Sequence, residues 1–217
     1  SDLGKAELAQ CPYVSEEAKE KLASASAPPI RTVVIGIGDS AVKVGGETVL
    51  FRHEKTFNNP TALGCLILAS ESEESINAKL KAFAELRYER VGLTLKSEII
   101  AVKDSGDSAK FAEVAKKASD AGAAVVLISD NLDALKASLA VIGKNRPLIY
   151  AATEATLDAM ADLAKEFDCP LAIKADKVGQ LAKMSVKLTE KGLKDIVLAT
   201  NDRTLAGQLR DQVMIRR

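Results

Sequence analysis

The stretch "AAVVLISDNLDALKASLAVIGKNRPLIYAATE", residues 123–154, decides the fold. It opens on an apolar run, passes an Asp-Asn turn, and continues through a segment rich in Leu, Ala and Lys. It then stops at Gly143 and restarts as a second apolar run behind Pro147. A short run without polar alternation is the pattern of a strand covered on both faces, and the intervening segment is long enough for the crossover helix that a parallel pair requires. The stretch therefore predicts one strand–helix–strand unit.

The same unit recurs in both directions. The apolar runs are "ALGCLILAS" (62–70), "EIIAVKD" (98–104), "AAVVLISD" (123–130), "PLIYAATE" (147–154), "PLAIKAD" (170–176) and "DIVLATND" (195–202). The last four begin at residues 123, 147, 170 and 195, a spacing of 23 to 25. Between them the helical segments carry one apolar stripe each, as with Phe111, Val114, Ala115 and Ala118. Gly122, Gly143 and Gly192 fall where helices should end, and Pro147 and Pro170 open the following strands. Six consecutive units, the last four evenly spaced, predict an α/β fold, a TIM-type βα barrel with six of its eight units present in residues 61–217. A closed barrel then needs two further strands, so the first and sixth strands are expected to be open edges rather than partners of each other.

Upstream the pattern changes. "TVVIGIGDSAVKVGGETVLFRHEKTF" (32–57) reads as short strands joined by tight turns, with Gly45-Gly46 as a hairpin turn between "AVKV" and "ETVLF". Residues 30–60 form a β-hairpin lead-in, and residues 1–29 a separate segment with a helix-like stretch (15–24) and an Ala/Ser/Pro linker.

Composition limits the function classes. The chain of 217 residues is 47% hydrophobic yet only 4% aromatic, so its core is built from Ala, Val, Ile and Leu. Lys+Arg and Asp+Glu balance at 30 each, which gives no global charge argument for nucleic acid or an anionic membrane. No apolar run approaches a membrane span, and three cysteines in unrelated contexts point to a reducing compartment; a cytoplasmic protein is expected.

In βα barrels the chemistry sits on the loops after the strands. Those positions hold Ser70, Glu71, Asp104, Asp130, Thr153, Glu154, Asp176, Asn201 and Asp202. Ser, Thr, Asp and Asn before every helix is also what helix capping requires, and no histidine joins them, so capping is the preferred reading and no catalytic residue is assigned. "IGIGDSAV" (35–42) lacks the third glycine of a dinucleotide loop and the Lys-Ser/Thr of a P-loop, and reads as a turn. His53, the single histidine, has no second ligand at metal spacing; Cys65 and Cys169 lie among Leu, Ile and Pro as small buried residues.

Cys11 stands apart, directly before Pro12. Cys-Pro is the ending of ferredoxin-type cluster motifs. "CPYVSEEAKEKL" with "APPI", then "VGGETVLFRHEKTFNNPTAL", "RPLIYAAT" and "CPLAIKAD" together resemble the large (gamma) subunit of corrinoid iron–sulfur proteins of the acetyl-CoA synthesis pathway and its acetyl-CoA decarbonylase/synthase relatives. The resemblance runs the length of the chain and is most specific over residues 45–61. It implies a 4Fe–4S domain ahead of a βα barrel, and a following domain that helps hold cobalamin. Cys11-Pro12-Tyr13 matches the fourth cluster ligand, so Cys11 is the one metal ligand the resemblance assigns here. The other three ligands are expected upstream of Ser1, and the last strands and corrinoid domain beyond Arg217; no cofactor is expected to bind within this segment alone. The implied role is a methyl carrier: cobalt accepts a methyl group from a methylated pterin through a methyltransferase and passes it to acetyl-CoA synthase/CO dehydrogenase, while the cluster restores Co(I). This barrel would be scaffold and interface, paired as a heterodimer with the small subunit. The alternative is a pterin-dependent methyltransferase barrel holding its donor with Asp130, Asn201 or Asp202; a third reading is a stand-alone structural module.

Overall fold

The structure is a computed structural model that describes residues 30–46, 59 and 61–215, together with Ser15 and Glu17. The expectations for Cys11, His53, the stretch 15–24 as a helix and the "ETVLF" arm of the hairpin lie outside the described residues.

Each expected apolar run forms a five-residue strand. These are β3 (Gly64–Leu68), β6 (Ile99–Lys103), β7 (Ala124–Ile128), β8 (Leu148–Ala152), β9 (Leu171–Ala175) and β10 (Ile196–Thr200). They make one parallel sheet in the order β10-β9-β8-β7-β6-β3, so every strand neighbours the one before it in sequence. The sheet is open: β3 and β10 are its two edges. Helices α1 (Glu73–Glu85), α2 (Ser108–Asp120), α3 (Leu132–Ile142), α4 (Leu157–Glu166), α5 (Val178–Glu190) and α6 (Leu205–Ile215) follow the strands in turn.

Alternation along each strand divides the core. Ile100 and Val102, Val125 and Leu127, Ile149, and Leu171 and Ile173 face the helices, where they pack with Phe111, Leu135, Met160 and Leu181. Ala124, Val126, Leu148, Ala151 and Ala172 face the other way and meet Ile35 and Val42. Both faces of the central strands are thus apolar and covered, which is why their sequence shows no polar alternation. Phe111, Val114, Ala115 and Ala118 are all buried, confirming the α2 stripe.

The second face is covered by the N-terminal hairpin. Strands β1 (Val33–Ile35) and β2 (Val42–Val44) pair antiparallel, Val33 opposite Val44 and Ile35 opposite Val42. The connection between them is a turn with a short 3-10 segment at Gly38–Ser40, as "IGIGDS" requires when read as a turn. The described partner of "AVKV" is therefore residues 33–35. Gly45 and Gly46 do hold positive φ, 82° and 78°. A β-carbon on Gly45 would lie 2.5 Å from the Arg31 carbonyl oxygen, so the glycine also makes room for the incoming chain.

A second hairpin, β4 (Arg87–Arg90) and β5 (Leu93–Lys96), stands between α1 and β6. The sequence reading placed no strand there. β4 is exposed along its whole length, so it carries no apolar run or buried alternation to be read.

Gly143 ends α3 for a different reason from the one expected. Its φ is −55°, ordinary right-handed helix, and the left-handed turn falls on Arg146 three residues later. What excludes a side chain at 143 is the Phe167 ring, 2.7 Å from where a β-carbon would sit.

Candidate functional site

The loops at the C-terminal edge of the sheet carry most of the candidate polar residues. Capping acts there, but mostly one to three residues downstream of the positions chosen from sequence. The caps are Ser72 for α1, Asp107 for α2 and Asn131 for α3, whose side chains accept amide hydrogens of their first turns. Thr156 precedes α4 without a side-chain cap bond. Asp202 accepts the Thr204 amide at 2.8 Å just ahead of α6. Ser72, Asp107 and Asn131 each lie one residue before their helix, the N-cap offset, whereas the residues expected from sequence lie nearer the strand ends.

The upstream residues are engaged otherwise. Glu71 accepts hydrogen bonds from Lys79 Nζ (2.6 Å), Ser75 Oγ (2.7 Å) and the Leu68 amide (3.0 Å). With the Lys79 ammonium foremost, then the Leu68 amide and the Ser75 hydroxyl, its carboxyl is held at about 2. Asp104 accepts from the buried Ser129 hydroxyl at 2.8 Å and from the Gly106 amide. The Ser105 hydroxyl accepts the Ser70 amide. The Thr153 amide donates to Thr156 Oγ1, and Asn201 donates to Asp176 at 2.5 Å. Asp130 and Glu154 are exposed.

The Ser70–Ser105, Asp104–Ser129 and Asp176–Asn201 bonds join neighbouring loops around the rim, those of Glu71 and Thr153 stay within one, and none brings two carboxylates onto a common point. A general acid or base needs a free carboxyl aimed at substrate, whereas Glu71, Asp104 and Asp176 are occupied by donors of their own chain. Among the described residues no group of three or more His, Cys, Asp or Glu is set to hold a metal ion.

The cysteines bear on the iron–sulfur question. A 4Fe–4S cluster takes four thiolates. Cys169 is buried, its Sγ 3.4 Å from the Phe167 carbonyl, and burial pushes its thiol up to about 12. Cys65 is on the edge strand β3 with Sγ 3.6 Å from Ser97 Oγ. The burial of Cys169 disfavours a thiolate ligand. Cys169 lies just before β9, and β6, β7 and β8 stand between that strand and β3. The described cysteines do not fit a cluster.

At the opposite, N-terminal end of the sheet is a polar constellation absent from the sequence reading. Asp195, directly before β10, accepts Arg31 Nε at 2.9 Å and Arg146 Nη2 at 2.8 Å, one arginine on each carboxylate oxygen. Arg146 Nε also donates to the Asp168 carbonyl, and the Arg146 carbonyl accepts the Gly36 amide at 2.9 Å. This clamp ties the chain entering β1 to the loops before β8, β9 and β10. Its members are separated by 164 and 49 residues, so no local motif announces it.

No helix among the described residues is long and apolar enough to cross a membrane.

Residues 32–217 match the family described as CO dehydrogenase/acetyl-CoA synthase delta subunit. The corrinoid/iron–sulfur protein large subunit of Moorella thermoacetica is 42% identical over 216 residues, 99% of this chain and 48% of that protein. Acetyl-CoA decarbonylase/synthase complex subunit gamma of Methanothermobacter thermautotrophicus is 35% identical over 97% of this chain and 47% of its own length. The gamma subunit of Archaeoglobus fulgidus is 36% identical over 82% of this chain and 38% of its own length. The chain spans about half the length of the first two of these relatives. It belongs to the CO dehydrogenase/acetyl-CoA synthase subunit family that takes in the corrinoid/iron–sulfur protein large subunits and the acetyl-CoA decarbonylase/synthase gamma subunits.

Proposed function

We propose that this chain is the scaffold portion of the large subunit of a cytoplasmic corrinoid iron–sulfur protein, which carries a methyl group on cobalt from a methyl-pterin methyltransferase to acetyl-CoA synthase. The observation that carries the reading is the 42% identity to a corrinoid/iron–sulfur protein large subunit, sustained over 99% of the chain. In this reading residues 1–29 are the tail of an iron–sulfur domain with Cys11 as its fourth ligand. Residues 30–60 are the lead-in, and residues 61–217 are six of the eight units of a TIM-type barrel that pairs with the small subunit.

The geometry supports a scaffold rather than a catalyst. The Glu71 carboxylate is held by donors of its own strand–helix unit, and Asp104 and Asp176 bind neighbouring loops. The Asp195 clamp fixes the incoming linker against the sheet, which suits a body that carries mobile end domains. The open edges support a barrel completed by further strands: Leu66 on β3 is 50% exposed, and on α6 Leu205, Leu209 and Val213 form an uncovered stripe. Cluster and corrinoid would be held outside the described residues, so nothing in them performs the methyl transfer.

The test uses the full-length protein, prepared without oxygen. Cys11→Ser is expected to lower or alter 4Fe–4S content, read by iron analysis and electron paramagnetic resonance, whereas Cys65→Ser and Cys169→Ser leave it intact. Unchanged cluster content in Cys11→Ser overturns the ligand assignment. Tight binding of methyltetrahydrofolate by this subunit alone, through Asp130, Asn201 or Asp202, would instead identify a methyltransferase barrel.

A further inference from the structure

On the face of the sheet turned away from the helices, Ile35 and Val42 cover Ala124, Leu148 and Ala172, toward the start of the strands. Alternation carries the same face up to the last residues of each strand. On β6, Ile99 and Ala101 pack against that cluster, so Lys103 is the next residue on their side. On β9, Lys174 follows Ala172 in the same way, and Tyr150 of β8 packs on this face too. Register sets Lys103 level with Ile128 of β7, and Ile128 level with Tyr150. Lys174 stands on the strand beyond Tyr150, three strands from Lys103.

These residue types do not suit a barrel core. The interior of a βα barrel is packed in layers dominated by branched apolar side chains. Lys103, Tyr150 and Lys174 take such inward positions at the C-terminal end instead. Among the described residues, neither ammonium group nor the phenol hydroxyl has a hydrogen bond or ion pair. The carboxylates nearest to the lysines in the chain are committed elsewhere, Asp104 to Ser129 and Gly106, and Asp176 to Asn201. The exposed Asp130 and Glu154 pair with neither lysine. An unpartnered cation on an enclosed wall is costly, and positions that break the packing rule of a fold are where function is expected.

Charge fixes the class of ligand. Two ammonium groups on flexible stems and a phenol are donors that lie within reach of one point. With strands about 4.8 Å apart, the two lysine backbones are separated by about 14 Å along a curved sheet, a gap that two lysine side chains span around one small anion. The helices that follow β8 and β9 add to this. α4 and α5 begin without a side-chain cap, which leaves first-turn amides as further donors, whereas Ser72, Asp107 and Asn131 cap α1 to α3. Strands that close the barrel join at β3 and β10 and complete its wall. The mouth above the inward lysines then stays open, at the end where βα barrels take their ligands.

We propose that Lys103, Tyr150 and Lys174 form an anion-binding site in the mouth of the barrel, which takes a small molecule by its phosphate or carboxylate group. The proposal rests on the barrel reading above, and it gives the scaffold a ligand rather than a reaction.

The test uses the full-length protein in phosphate-free buffer, with inorganic phosphate and malonate as probes in isothermal calorimetry. Saturable binding of at least one probe is expected. Lys103→Met and Lys174→Met, which keep the apolar stem and remove the charge, each weaken it about tenfold or more. Tyr150→Phe lowers the affinity severalfold. Lys136→Met, exposed on α3, leaves it unchanged. Lysine acylation of the wild type, read by mass spectrometry, gives an arm that needs no variant: the probe protects Lys103 and Lys174 but not Lys136. Absence of saturable binding for both probes overturns the site, as does binding that Lys103→Met and Lys174→Met leave unchanged. Failure of Lys103 and Lys174 to acylate before any probe is added also overturns it, since the chain's own segments then cover them. Hydrogen exchange separates these failures from that of the barrel reading. Protected edge amides on β3 and β10 keep the closed barrel even where the site is lost. Unprotected ones remove the barrel, and this mouth with it.

Discussion

Glu71 shows how a carboxylate at a strand end becomes structural. Three donors from its own chain hold its carboxyl at about 2, against an ordinary value of 4.5. A depressed carboxylate stabilises the fold above its unfolded pKa and loses that contribution as pH falls through the folded value. Glu71→Gln is therefore expected to lower stability at neutral pH. It should also remove one component of acid unfolding between pH 4.5 and about 2, measured by denaturant titration across that range. A variant whose stability falls in parallel with wild type through this window would show that Glu71 does not titrate as the geometry requires. Asp195 offers the second residue-scale test. Asp195→Ala leaves Arg31 and Arg146 without their acceptor. The expected loss is about 1–3 kcal/mol, with faster hydrogen exchange in β1 and β2, because the clamp holds the chain that enters them. Gly143→Ala inserts a methyl against the Phe167 ring and should destabilise by about 1–3 kcal/mol, although alanine is the better helix former.

Helix α2 concentrates the element-scale energetics. Its N-cap Asp107 accepts the Ala109 and Lys110 amides, and its stripe buries Phe111 completely between the sheet and the neighbouring helices. Phe111→Ala should cost about 3–5 kcal/mol, against about 1 kcal/mol for Asp107→Ala. Thermal and denaturant unfolding distinguish the two. An equal cost for both would mean that packing against β6 and β7 contributes less than the burial implies. Periodicity makes α2 legible in the sequence, since one apolar side facing one sheet has only one solution. The β4–β5 hairpin is hard to read there for the converse reason: β4 is exposed along its length, and β5 offers only the four-residue alternation Leu-Thr-Leu-Lys.

For the whole molecule, the consequence of an open parallel sheet is association. Edge strands β3 and β10 present unpaired backbone groups, and Leu66, Leu68 and Leu198 are exposed along them. The 217-residue chain by itself is expected to self-associate, and a longer polypeptide that supplies the remaining strands to run as a monomer with one cooperative unfolding transition. Sedimentation velocity on the two decides it. A monodisperse, cooperatively unfolding monomer of the short chain would show that six strands suffice. Reconstitution of the short chain with iron and sulfide is expected to yield no stoichiometric cluster, because one matching thiolate cannot do the work of four.

The sequence by itself determined the six strands to within two residues, their parallel pairing in chain order, and the helix stripes that cover them. Those follow from periodicity and chain reach, which are local. It also located the glycine-rich turn at residues 36–38 and the rim where polar residues gather. Tertiary structure decided which residue in each loop caps its helix, because that depends on where the first turn begins. It decided that Gly143 yields to Phe167, a ring 24 positions further along the chain. It decided that Arg31, Arg146 and Asp195 form one clamp. Contacts between residues far apart in the chain are set by how the units stack, and stacking leaves no periodic trace in the residues it brings together.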